Sequence, residues 1–125
     1  MVIRIKDGSE IPVYQQLRDQ IVAGISDGRL APGERLPTVR ALAGEIGVNA
    51  MTVNKAYQLL KQEGFILIDR RHGARVRERV DGTTGLPREK QELLRHLAAE
   101  AKARGMSLQA FLSLCEDAYG EEGRQ

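Results

Sequence analysis

Residues 36–57 read LPTVRALAGEIGVNAMTVNKAY, and the punctuation in this stretch decides the fold. Thr38 is placed to accept the first free backbone N–H groups of a helix. Val39, Leu42, Ala43 and Ile46 then share one face at helical spacing. Gly47 stops that run after about two turns, because glycine readily takes the left-handed conformation that closes a helix. Asn49 offers a second N-cap, and Val53, Ala56, Tyr57 and Leu60 form the apolar stripe of the next helix, which Gly64 closes. Two short helices joined by a tight, glycine-containing turn predict a helix-turn-helix.

The flanks extend the pattern. Upstream, Val13, Leu17, Ile21 and Ile25 recur every four residues, behind a Pro12 that suits a first helical turn. Gly28 ends this helix, and the Leu-Ala-Pro-Gly of residues 30–33 reverses the chain. Residues 1–11 carry Val2, Ile3, Ile5 and Ile11 in what reads as an extended arm. Downstream the period changes from 3.6 to 2. Residues 65–68 (Phe-Ile-Leu-Ile) read as a strand, residues 69–73 as a turn, and residues 74–77 as a returning strand. Three helices and then a hairpin is the order of a winged helix-turn-helix. After the small, polar residues 81–85, Pro87 opens a further helix with Leu93, Leu94, Leu97, Ala98 and Ala101 on one face. Gly105 interrupts it, Ser107 caps the next, and Leu108, Phe111, Leu112, Cys115, Ala118 and Tyr119 continue the stripe. The predicted fold class is mainly α with a small β-hairpin. A winged helix-turn-helix domain with its arm spans residues 1–80, a linker 81–86, and a two-helix tail 87–119, with residues 120–125 frayed.

Composition narrows the function. A chain of 125 residues holds one compact domain and an appendage. Apolar residues at 42% and charged residues at 29% fit a folded, soluble protein. No apolar run approaches the roughly 20 residues needed to cross a bilayer, and no secretory leader is readable. A cytoplasmic protein without membrane partners is therefore expected. Cys115 is the only cysteine, which rules out an internal disulfide and a cysteine-based zinc site. Its place in an apolar stripe predicts a buried small hydrophobe. His72 and His96 lie in different segments with no partner at metal spacing. No metal, cofactor or catalytic set is thus legible, and an enzyme is not expected. Net charge is only +2, but its distribution is uneven. Residues 1–81 carry 13 Lys and Arg against 10 Asp and Glu, whereas residues 82–125 carry 6 against 7. Arg70, Arg71, Arg75, Arg77 and Arg79 crowd one ten-residue stretch against Glu78 alone, a footprint that attracts polyanions.

The polar face of the third helix carries Ala50, Met51, Thr52, Asn54, Lys55 and Gln58. Short or hydrogen-bonding side chains suit a helix entering a major groove, where Asn pairs with adenine and Lys reaches phosphate or guanine. A winged helix that binds protein or RNA is the alternative reading. Such a module generally loses the basic wing and the polar helix face, and this chain keeps both.

The order and spacing from Pro12 to Arg77 resemble the DNA-binding domain of the GntR family of bacterial transcription regulators. The matching stretches are Pro-Val-Tyr-Gln-Gln-Leu at residues 12–17, Gly-Arg-Leu-Ala-Pro-Gly-Glu-Arg-Leu-Pro-Thr-Val-Arg-Ala-Leu-Ala at 28–43, Val-Asn-Ala-Met-Thr-Val-Asn-Lys-Ala-Tyr at 48–57, and Glu-Gly-Phe-Ile at 63–66. The short helical tail resembles the YtrA-like subfamily. The resemblance implies a homodimeric repressor on a palindromic operator, with residues 49–62 in the major groove and a wing at 69–75 in the minor groove. It implies DNA contacts from Arg40 and Thr52 and from the wing tip at His72 and Gly73, with Arg70, Arg71 and Arg75 on phosphates. Thr38, Asn49, Ala50, Met51, Asn54 and Lys55 complete the expected DNA-binding set. Many family members carry arginine where this chain has Ala50 and Asn54, so no guanine contact is available from position 50. Leu93, Leu97, Leu108, Phe111, Leu112 and Cys115 are the expected dimer interface, the alternative being that the tail helices fold back on the winged helix of the same chain. The partners expected are duplex operator DNA, a second copy of the chain and an unidentified small-molecule effector.

Overall fold

The computed structural model describes residues 1–78 and 85–121. The chain forms two compact units, Met1–Arg79 and Val80–Gln125. The first contains α1 (Val13–Ser26), α2 (Val39–Ile46), α3 (Ala50–Gln62), β1 (Ile66–Asp69) and β2 (Gly73–Val76). The second contains α4 (Arg88–Ala103) and α5 (Leu108–Glu121). Mainly helical architecture with one small hairpin is the fold the sequence predicts.

The caps explain the lengths of the middle helices. Thr38 Oγ1 accepts the Ala41 N–H at 3.0 Å, and Asn49 Oδ1 accepts the Thr52 N–H at 2.8 Å. Gly47 closes α2 at φ +74°, where a side chain would be strained. At the end of α3 the Gly64 N–H reaches the Lys61 carbonyl and the Phe65 N–H reaches the Leu60 carbonyl at 2.9 Å. This double closure is a Schellman motif. It explains why β1 begins at Ile66 and not at Phe65 as the sequence suggests, since the Phe65 N–H still serves the helix. The returning strand likewise runs 73–76 instead of 74–77.

The centre of this unit's core comes from the helical stripes read in the sequence, with Leu30, Leu36, Ala74 and Val76 added from the segments around them. Leu17 and Ile21 of α1, Leu42 of α2, and Val53, Tyr57 and Leu60 of α3 are fully buried with Ile66 of β1. The hairpin is antiparallel, pairing Ile66 with Val76, Leu67 with Arg75 and Ile68 with Ala74. Ile66, Ala74 and Val76 face the core while Leu67 is exposed, the alternation of a strand with one buried face. A third segment, unforeseen in the sequence, lines the free edge of β2. Leu36 N–H donates to Ala74 O at 2.8 Å, Val76 N–H to Glu34 O at 2.7 Å, and Gly33 N–H to Val76 O at 2.9 Å. Arg35 thereby bridges to Arg75.

The arm is also tied down by unforeseen partners. Gln16 Oε1 accepts the Lys6 N–H at 2.9 Å, and its Nε2 donates to the carbonyls of Ile11 and Lys6. One helical turn on, Gln20 Oε1 accepts the Arg4 N–H at 2.9 Å and its Nε2 donates to the Arg4 carbonyl at 2.6 Å. Two carboxamides thus satisfy backbone groups that a neighbouring strand would otherwise pair. Arg18 joins α1 to the end of α3 through Glu63 at 2.8 Å, with its guanidinium 5.5 Å from the Phe65 ring centroid. Burial pulls the Arg18 pKa down, but the hydrogen bonds and charges of Glu63 and Asp19 outweigh it and hold the pKa above its ordinary value.

In the second unit, α4 starts after Pro87 and ends where Gly105 takes φ +89°, and Ser107 Oγ accepts the Ala110 N–H at 3.1 Å. Ala101 is buried and Phe111 half-buried, whereas Leu93, Leu94, Leu97, Leu108, Leu112 and Leu114 are exposed. Cys115 is exposed too, which corrects the expectation of burial: among the described residues this unit has two helices, and two helices cannot bury all of their apolar faces on each other. Regular helix continues to Glu121, so residues 120 and 121 are not frayed. Residues 122–125, and residues 81–84 of the expected linker, lie outside the described residues. Among the described residues, no helix is long and apolar enough to cross a membrane.

Candidate nucleic-acid interface

The face of α3 turned away from its buried stripe carries Ala50, Met51, Asn54, Lys55 and Gln58, all exposed. Met51 is the most prominent of them, 82% exposed on a helix whose partner faces are well packed. An exposed apolar side chain beside amides matches a thymine methyl beside base-edge donors and acceptors. Thr52 is half-buried. Asn49 is exposed, but its Oδ1 is committed to the cap of α3, which leaves its NH2 as the available group. Asn54 is exposed, and among the described residues its carboxamide has no cap bond of the kind that engages Asn49. Lys55 Nζ lies 4.1 Å from the Tyr14 ring centroid, a cation–π contact that turns its ammonium toward α1. On α2, Arg40 is exposed with no carboxylate partner among the described residues. Thr38 is exposed beside it, with its hydroxyl oxygen capping α2.

The hairpin tip is organised by Asp69. Its Oδ1 accepts the backbone N–H of Arg71 at 2.9 Å and that of His72, and the His72 imidazole lies 3.4 Å from Oδ2. The backbone donor at His72, then its imidazole, hold the Asp69 carboxyl below the usual carboxylate range. Gly73 takes φ +67°, the left-handed conformation the turn requires. Arg70 and Arg71 are exposed at this tip. Arg75 differs from them. It is half-buried opposite Leu67, and its Nε is buried without a hydrogen-bond partner.

Between α3 and the hairpin lies a recess of about 360 Å³. Asn54, Tyr57 and Gln58 form one wall, Arg71, His72, Gly73 and Ala74 the other, with Arg35 and Thr38 at the start of α2. The fold thus gathers Thr38, Asn54, Arg71, His72 and Gly73 around one concavity, while Arg40, Ala50, Met51, Lys55, Arg70 and Arg75 lie outside its lining. The Tyr57 hydroxyl donates to the Pro37 carbonyl at 2.7 Å, pinning α3 to the entry of α2. Burial pushes the Tyr57 pKa well above its ordinary value. Sequence reasoning placed Tyr57 in the stripe but missed this bond, and it missed Arg35. An arginine two residues before a helix carries no periodic signal, and only the pairing of residues 33–36 with β2 brings it to the recess. The six expected interface residues all lie on α4 and α5, with Leu108 71% exposed and Leu97 54% exposed.

A family-wide sequence profile, described as "Bacterial regulatory proteins, gntR family", matches residues 13–76. The chain is 49% identical over 55 residues to the HTH-type transcriptional regulator Rv1152 of Mycobacterium tuberculosis, a match covering 44% of this chain and 46% of that protein. It is 34% identical over 110 residues to the HTH-type transcriptional repressor YtrA of Bacillus subtilis, covering 86% of this chain and 85% of the relative. The match to Rv1152 thus spans less than half of that relative, whereas the match to YtrA spans most of it. Among solved structures, YtrA from Sulfolobus acidocaldarius, described as a GntR-family transcription factor, superposes with a TM-score of 0.60 at 36% identity, covering 95% of this chain and 97% of that one. The DNA-binding domain of AraR in complex with operator ORE1 superposes with a TM-score of 0.51 at 25% identity, over 61% of this chain and 93% of that one. The chain belongs to the GntR family of bacterial regulatory proteins, in its YtrA-like branch, and its first unit is a winged helix of the DNA-binding transcription-regulator kind.

Proposed function

We propose that the chain is a homodimeric repressor that recognises a palindromic DNA operator. α3 enters the major groove of each half-site, the hairpin tip at residues 69–75 reaches the adjoining minor groove, and α4 and α5 pair two copies. The observation that carries this reading is the convergence of α3 and the hairpin on one recess. It sets Asn54, Gln58, Arg71 and His72 within one concavity, with Met51 and Arg40 exposed on the same unit. Phosphate contacts from the arginines supply affinity that falls with salt, and Asn54, Thr52 and Met51 supply preference among bases. A single winged helix reads few base pairs, so discrimination against a genome favours two copies on a two-fold site. The uncovered leucines of α4 and α5 supply an apolar face for that pairing.

The test is selection of random duplexes on the purified protein, followed by footprinting of the selected site. The expected result is an inverted repeat whose half-sites lie about one helical turn apart, or a multiple of it. Enrichment of single, unrepeated sites would refute the dimer. No protection of any duplex at moderate salt would refute the DNA reading itself.

A further inference from the structure

We propose that Arg35, on the segment leading into α2, is a phosphate-gripping residue of the DNA interface and acts as a cross-strand pair with Arg75. The inference rests on the DNA-binding reading above and assigns a residue that reading does not use. Three observations carry it. First, Arg35 and Arg75 face each other in an antiparallel bridge. Like charges directly opposite destabilise a sheet, yet neither guanidinium has a carboxylate partner among the described residues. An anion supplied from outside the chain resolves this arrangement, and a phosphate matches the planar fork of arginine.

Second, Arg35 lines the recess between α3 and the hairpin. With α3 in a major groove and the hairpin tip in a minor groove, the sugar–phosphate strand separating the two grooves passes across that recess. Third, the backbone on either side of Arg35 is fixed. Glu34 O accepts the Val76 N–H at 2.7 Å and the Leu36 N–H donates to Ala74 O at 2.8 Å. Arg35 is therefore held in register with the hairpin, whereas Arg70 and Arg71 extend from its exposed turn.

Fluorescence anisotropy of the full chain on its selected operator and on an unrelated duplex, across a salt series, tests the assignment. Arg35→Gln keeps much of the aliphatic stem and removes the charge. The expected result is weaker binding to both duplexes by a similar factor, with the slope of log K against log salt reduced in magnitude by about 1. Arg35→Lys is expected to restore most of the slope. Arg29→Gln, at a residue paired with Asp27, is expected to keep the wild-type slope. The free Arg35→Gln protein is expected to melt at or above the wild-type temperature, since a like-charge opposition has been removed. A wild-type slope in Arg35→Gln overturns the proposal, as does an equal loss in Arg29→Gln or a melting temperature well below wild type. Salt-insensitive or absent binding by the wild type overturns the DNA reading and this assignment together, whereas an unchanged slope in Arg35→Gln beside a binding wild type overturns the assignment alone.

Discussion

Tyr57→Phe removes one oxygen from the junction that orients α3. The phenol is fully buried and its hydroxyl donates to the Pro37 carbonyl at 2.7 Å. A neutral buried hydrogen bond contributes about 0.5–1.5 kcal/mol net, and a carbonyl left unpaired adds to the loss, so the expected cost is about 1–2 kcal/mol. The ring itself remains, so no large cavity term is added. In a unit of this size each kcal/mol lowers the melting temperature by about 4–8 °C. Urea unfolding followed by far-UV circular dichroism measures the change, at one fixed protein concentration so that association does not alter the comparison. The pH dependence provides a second signature. Burial raises the folded-state pKa of Tyr57 above its ordinary value of about 10. A group shifted in this direction contributes stability that is fully present below the unfolded pKa and is lost as pH rises through the folded one. The gap between wild type and Tyr57→Phe should therefore hold steady from pH 6 to about pH 9 and narrow above about pH 10. Equal stability within about 0.3 kcal/mol, or a gap that widens in alkali, would refute the reasoning.

Further consequences can be measured separately. Gly73→Val places a β-branched residue at φ +67°, and a cost of at least about 1–2 kcal/mol is expected as a lower melting temperature. Arg40→Ala should abolish tight operator binding in a mobility-shift titration while leaving helix content unchanged, because the side chain is exposed. Leu97→Glu combined with Leu112→Glu should give a monomer by light scattering at micromolar concentration with its circular dichroism spectrum intact, since both residues are about half exposed in the single chain. Met51→Ala should leave stability within about 0.5 kcal/mol of wild type, as expected of an exposed position, yet change which bases are enriched in a duplex selection.

The sequence exposed the elements because their signals are local. Thr38 and Asn49 cap the helices they were expected to cap, and Gly47 and Gly64 end them, since a cap is a bond between residues three or four apart. The helical centre of the first unit's core followed from spacing for the same reason. Strand limits shifted by one residue because Phe65 has a single N–H and the helix end took it. The candidate site was only partly legible. Exposure of Arg40, Met51 and Asn54 could be anticipated from helix phase, but the capture of the Lys55 ammonium by Tyr14 could not, because those residues are joined only by the packing of α1 on α3.

Periodicity, caps and turn glycines along the chain determine three helices, a hairpin and two further amphipathic helices, since each depends on neighbours within a few positions. Tertiary structure decides which of the polar residues share a surface. It brings residues 33–36 against β2, fastens the arm to Gln16 and Gln20, and leaves Cys115 and the leucines of α4 and α5 uncovered. These outcomes depend on hydrogen bonds and packing between distant segments, whose partners are selected by the whole fold and leave no periodic trace in the order of residues.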